Sequence, residues 1–142
     1  MKDESFGAII IFIKNNKILF LIVQHKVAGH WSFPKGHKEG RESDLEAAKR
    51  EVEEEVGIKD FQLIDDIYFI EKYTIKSKKE GIEKTVKYYL AKTKSQNIIL
   101  QEEEIKDAKW LEFEDAYNLL SFKEAKNLLE KVKEYIDYKE II

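Results

Sequence analysis

The stretch Gly36–Ile58, GHKEGRESDLEAAKREVEEEVGI, decides how the rest of the chain is read. Ser43 with Glu46 three residues on is the pairing of a capping box, which predicts a helix start. Leu45, Ala48, Val52 and Val56 recur at helical spacing and form an apolar stripe. Gly57 supplies the left-handed residue that ends such a helix. Five glutamates, Glu46, Glu51, Glu53, Glu54 and Glu55, fall within ten residues of it. At ~100° per residue, Glu51 and Glu55 lie together on one flank of the stripe, with Glu54 further round. Like charges at this spacing repel by roughly 0.2–0.5 kcal/mol per pair, so stability alone does not explain them. A divalent cation is the simplest partner for such a carboxylate patch.

Upstream, Ser5–Lys14 and Lys17–Gln24 are two β-branched and aromatic runs around Asn15-Asn16. They predict a hairpin at the centre of a sheet. The loop from His25 to Gly40 holds the only proline, Pro34, which keeps Phe33 extended. Downstream, Phe61–Ser77 and Ile82–Thr93 predict a second hairpin around Lys78-Lys79-Glu80-Gly81. Asn97–Leu100 and Lys106–Phe113 are expected as shorter strands. Glu114–Leu120 and Lys123–Tyr138 return to helical spacing, with Ala125, Leu128, Leu129, Val132 and Ile136 on one face. This order implies an α/β (α+β) architecture, a mixed sheet flanked by helices, in one domain over residues 1–142.

The 142 residues suffice for a real core, and 43% of them are hydrophobic. A net charge of -3 excludes the global basic field of nucleic-acid binders. With no cysteine, disulfides, thiolate metal sites and a Cys nucleophile are excluded. Lys2, Asp3 and Glu4 precede an apolar run of only Ala8–Ile13, too short for a signal peptide or membrane span. A soluble, cytoplasmic protein is therefore expected, with no membrane and no nucleic acid as partner.

Taken whole, the stretch is Gly36, five residues, Glu42, seven residues, then Arg50-Glu51-Val52-Glu53-Glu54-Glu55-Val56-Gly57-Ile58. It resembles the Nudix box at every specified position. Trp31-Ser32-Phe33-Pro34-Lys35-Gly36-His37, Lys84-Thr85-Val86-Lys87-Tyr88-Tyr89-Leu90-Ala91, Trp110-Leu111 and Ser121-Phe122-Lys123-Glu124-Ala125 are similar to segments of the asymmetrical diadenosine tetraphosphate hydrolases. The resemblance implies a Nudix-type α/β/α sandwich with a loop-helix-loop catalytic motif over residues 36–58. It implies hydrolysis of dinucleoside polyphosphates by water attack on phosphorus, diadenosine tetraphosphate giving ATP and AMP.

The chemistry accounts for the residue types. A phosphorus shielded by negative oxygens needs hard cations, and carboxylates are their natural ligands. The resemblance gives Glu51, Glu54 and Glu55 to catalysis and to Mg²⁺ or Mn²⁺. Arg50 is expected to pair with a box glutamate, and Glu42 to be structural at the helix entrance. Glu104, with Glu103 as the alternative, would complete the metal site from the loop before a late strand. Lys35 and His37 would meet phosphate oxygens, while Tyr88 and Phe122 would stack on adenine. Tyr89 competes with Tyr88, because neighbours on a strand face opposite ways. The same box belongs to enzymes acting on ADP-ribose, nucleoside triphosphates or RNA 5' ends. A nucleotide-sensing domain without catalysis is expected to show an eroded box, and every box carboxylate is present here. The expected partner is a small-molecule nucleotide, bound by a monomer.

Overall fold

The computed structural model describes residues 2–76 and 81–141. Strands β1 (Lys2–Lys14) and β2 (Lys17–His25) form the expected hairpin. Its turn is Asn15-Asn16, with φ of 52° and 64°. Positive φ at both positions gives a turn whose twist matches the flanking strands. A short β3 (Trp31–Ser32) pairs antiparallel with Val23 and Gln24 of β2, and β4 (Lys35–Gly36) pairs with Phe6 and Gly7 of β1.

Strands β5 (Phe61–Lys76) and β6 (Gly81–Thr93) make the second antiparallel pair. Its turn residues Lys78, Lys79 and Glu80 lie outside the described residues. Near Leu63–Tyr68 the register of β5 shifts, and Asp65 there takes a φ of 56°. Strand β1 runs parallel to β6 from Lys2↔Glu83 to Ile11↔Lys92, so the sheet is mixed. Its order is β3-β2-β1-β6-β5, with β4 on β1 and β7 (Ile105–Leu111) on β2. Strand β1 begins at Lys2, three residues before the expected Ser5, because its parallel partner β6 pairs that far back.

Alternation along β1 and β2 divides the core between two faces. Ala8, Ile10, Leu21 and Val23 pack on Val52 and Val56 of helix α1 (Asp44–Val56). Ile9, Ile11, Phe20 and Ile22, with Val86 and Leu90 of β6, pack against the other two helices. These are α2 (Phe113–Leu119) and α3 (Lys123–Tyr138), and α3 buries the five apolar residues expected of it. The sandwich is therefore the expected one. Among the described residues no helix is long and apolar enough to cross a membrane.

Asn97–Leu100, expected as a strand, is not one. The Ile99 N–H donates to the Val56 carbonyl at 2.9 Å and the Gln101 N–H to the Glu55 carbonyl at 3.1 Å. The segment thus satisfies free carbonyls at the end of α1 instead of a strand edge. Strand β7 also stops at Leu111, short of Phe113, because Glu112 is the N-cap of α2.

Candidate active site

Helix α1 carries the carboxylates, and its ends are fixed as the sequence predicts. Ser43 Oγ accepts from the Glu46 N–H at 3.1 Å, and the Glu46 carboxylate accepts from the Ser43 N–H at 3.0 Å. Gly57, at φ 72°, caps the other end. Between them Arg50 gathers the acidic residues. Its Nε and Nη2 donate to the two Glu42 oxygens at 2.7 and 3.0 Å. Nη1 reaches Glu51 at 2.9 Å and Glu54 at 3.1 Å, and Nη2 also donates to the His37 carbonyl at 2.7 Å. Glu42, and then Glu51 and Glu54, hold the guanidinium pKa above its ordinary value. A planar fork with five donors is the one side chain that can serve so many acceptors at once.

Gly36 packs directly on the Glu51 carboxylate, which occupies the space a Cβ would need. The turn and the helix are thereby locked together. Glu55 is only 2% exposed, and among the described residues its Oε1 has no hydrogen-bond partner. The Lys35 backbone lies beside its carboxylate and favours the ionised form. Burial and then the Glu51 charge push the Glu55 carboxyl up to about 8. Burial also raises Glu51, and Glu104 adds to the negative field at both residues.

A divalent cation fits this donor set. Glu51, Glu54, Glu55 and Glu104 all offer hard oxygens and, among the described residues, one buried oxygen is orphaned and Arg50 is the one cation hydrogen-bonded to Glu51 and Glu54. Among the described residues no three such side chains converge on one point as they stand. Arg50 draws Glu51 and Glu54 onto itself, and Glu104 is exposed in its loop.

On the other face of the sheet a cavity of about 470 Å³ opens between β5, β2 and α3. Tyr73, Ile75 and Phe122 give it apolar and aromatic walls, and His25, His30 and Glu71 give it polar ones. The His30 ring stands 5.3 Å from Phe122 and 4.3 Å from His25, centroid to centroid. His25 Nε2 is 3.1 Å from Ser32 Oγ. Burial, with His30 and Lys35 nearby, lowers His25 to about 4, so its ring is neutral. Lys35 lines this cavity and also feels the Glu55 charge. It is the hinge between cavity and carboxylates.

Of the expected substrate-binding residues, Lys35 and Phe122 line the cavity, Phe122 at its rim and 51% exposed. His37 does not line it; its ring bonds Asp3 Oδ1 at 2.7 Å on the surface. Tyr88 is corrected outright. It is 0% exposed, edge-on to Phe33 at 5.5 Å, and presents no face to a base. Its strand position turns it into the core beside Val86 and Leu90. Tyr73 is the aromatic the sequence reading missed, together with Glu71, His25, His30 and Lys84. Period-two alternation of Glu71, Tyr73 and Ile75 was the available signal, since it puts all three on one face.

A family model described as NUDIX domain matches residues 1–132. The chain is 36% identical over 124 residues to the asymmetrical bis(5'-nucleosyl)-tetraphosphatase of Mus musculus, covering 86% of this chain and 83% of that one. To the Caenorhabditis elegans protein of the same name it is 34% identical over 139 residues, or 96% and 98% of the two chains. Its structure is similar to a binary complex of the C. elegans Ap4A hydrolase, with a TM-score of 0.82 at 30% identity. That match covers 94% of this chain and 97% of the other. With the box carboxylates on one helix and the family model spanning nearly all of it, the chain belongs to the NUDIX domain family.

Proposed function

We propose that the protein hydrolyses dinucleoside tetraphosphates, diadenosine tetraphosphate above all, to ATP and AMP. The observation that carries this is the placement of Lys35. It joins an aromatic-walled cavity to a carboxylate patch, so a base and a polyphosphate can be held at once. The names of the relatives at 34–36% identity support the same substrate.

Glu51, Glu54, Glu55 and Glu104 would hold Mg²⁺ or Mn²⁺. When bound, such ions neutralise phosphate oxygens and lower the pKa of the attacking water. The chain's own residues do the rest. Arg50 holds Glu51 and Glu54 at fixed angles, through its anchor on Glu42. Gly36 lets the phosphate-binding turn approach Glu51 without a side chain between them. The Lys35 ammonium meets phosphate oxygens leaving the cavity. Tyr73 and Phe122 supply aromatic faces for the base. Lys84, which pairs with Asp3 at 3.1 Å, stands opposite Tyr73 in the β5–β6 register and adds positive charge at the same mouth.

The test is a substrate panel with Mg²⁺: diadenosine tetraphosphate, ADP-ribose, nucleoside triphosphates and 5'-triphosphate RNA. ATP plus AMP from the first substrate is the expected product pair. Two ADP, or no turnover of it, would sink the reading.

A further inference from the structure

Glu71 is a buried carboxyl that the phosphate chemistry does not use. It is 8% exposed, sits on β5 opposite Val86, and lines the cavity beside Tyr73. Among the described residues no group hydrogen-bonds it and no cation lies within ion-pair distance. Its side chain is packed away from bulk solvent while its oxygens stay open to the cavity, so a ligand's donors can reach a carboxyl that no protein group already holds. The groups facing it set what that ligand offers. Lys35 from β4 favours its charged form, and Glu124 at the start of α3 opposes it. Lys84 of β6, Ser32, Thr74 and the rings of His25 and His30 are the other polar groups of the wall, Tyr73 and the buried Tyr88 feel the Glu71 charge, and burial lowers the pKa of both histidine rings.

We propose that Glu71 reads the hydrogen-bonding edge of a purine base held against Tyr73 and Phe122. The assignment rests on the nucleotide reading above. A carboxyl can make a two-point pair with either purine. Ionised, it accepts from guanine N1–H and N2–H. Protonated, it donates to adenine N1 and accepts from N6–H. Burial pushes the Glu71 carboxyl up to about 7, so both forms are accessible near neutrality. Base choice is then set at this one side chain, while the acidic helix treats both substrates alike.

The measurement is kcat/KM for diguanosine relative to diadenosine tetraphosphate, from pH 6 to pH 8.5. The ratio cancels any pH effect on the common phosphate chemistry. In the native protein it rises with pH through about 7. Glu71→Gln keeps the shape and fixes an amide that pairs with adenine N1 and N6–H but can no longer accept from guanine N1–H and N2–H together. It lowers the ratio about tenfold at pH 8 and removes its pH dependence, the size expected when one two-point base contact is lost. Glu71→Leu raises KM for both substrates with smaller change in kcat. A native ratio that is flat with pH, or a Glu71→Gln ratio equal to the native one, overturns the assignment while the hydrolase reading stands. Failure of the native protein to turn over either substrate overturns both.

Discussion

The acidic face of α1 and the cavity between β5 and α3 are built in opposite ways. The acidic face comes from one continuous stretch, with Gly36, Glu42, Arg50, Glu51, Glu54 and Glu55 all within 20 residues. Its internal bonds span eight residues or fewer, apart from Arg50 to the His37 carbonyl. The cavity takes His25 and His30 from one part of the chain, Glu71 and Tyr73 from another, and Phe122 from a third. On the proposed function, reaction chemistry is encoded mainly in one local stretch, with Glu104 the distant addition, and substrate choice by long-range assembly. The first kind of site survives in any chain that keeps the helix; the second changes with each loop and strand register.

The largest expected effect is on the local side of this contrast. Glu54→Gln removes one carboxylate charge without changing shape or the buried core. Turnover should fall roughly 100-fold or more, since even groups that merely support a metal ligand are worth 10–100-fold. The melting temperature should stay close to native, because Glu54 is not among the buried residues of α1. Near-normal kcat would remove Glu54 from the catalytic set. Gly36→Ala ranks next. The new Cβ collides with the Glu51 carboxylate, so that carboxylate must move or the turn must lift. Overpacking of this kind costs about 1–3 kcal/mol. Activity should drop more than tenfold, with a clear loss in thermal stability. An alanine variant with native kcat would show that Glu51 tolerates displacement.

The same contrast explains what could be read without coordinates. The helix from Ser43 to Gly57 was legible whole, because a capping box, an apolar stripe and a terminal glycine are all local signals. The Asn15-Asn16 hairpin was legible for the same reason. Parallel pairing of β1 with β6 was not, since those strands are some 80 residues apart and nothing local marks their register. Asn97–Leu100 looked like a strand because its composition suits one. Its backbone was instead claimed by the open end of α1, a tertiary effect. Tyr88 failed for a related reason. Which tyrosine faces the cavity depends on the β5–β6 register, and the motif around Tyr88 carries no information about burial.

Acidity offers a measurement on the carboxylate side alone. The Glu55 carboxyl is pushed up to about 8 by burial and by Glu51, above the ordinary carboxyl range. A raised carboxyl pKa favours the protonated folded state. That stabilisation is fully present below the ordinary carboxyl pKa and is lost as pH rises through about 8. Metal-free protein should therefore lose melting temperature between pH 5 and pH 8.5. Added Mn²⁺ needs the ionised carboxylates, so the stabilisation it gives should grow over the same range. A scanning-calorimetry series in EDTA and in Mn²⁺ checks both slopes. Parallel curves would show that Glu55 does not join the ion site.

The smallest expected effects fall on two tyrosines, and they separate the cavity from the core beneath it. Tyr73 lines the cavity, so Tyr73→Ala should raise KM about tenfold with little change in kcat, as expected when one base-stacking face is lost. Tyr88 is fully buried and its hydroxyl has no partner among the described residues. Tyr88→Phe removes that orphaned hydroxyl and keeps the ring packed on Phe33. Deleting a buried polar group that bonds to nothing is neutral or mildly stabilising, by up to about 1 kcal/mol. The phenylalanine variant should therefore show native KM and an unchanged or slightly higher melting temperature. A raised KM in Tyr88→Phe would put its hydroxyl in contact with substrate and move the boundary of the cavity one layer deeper into the sheet.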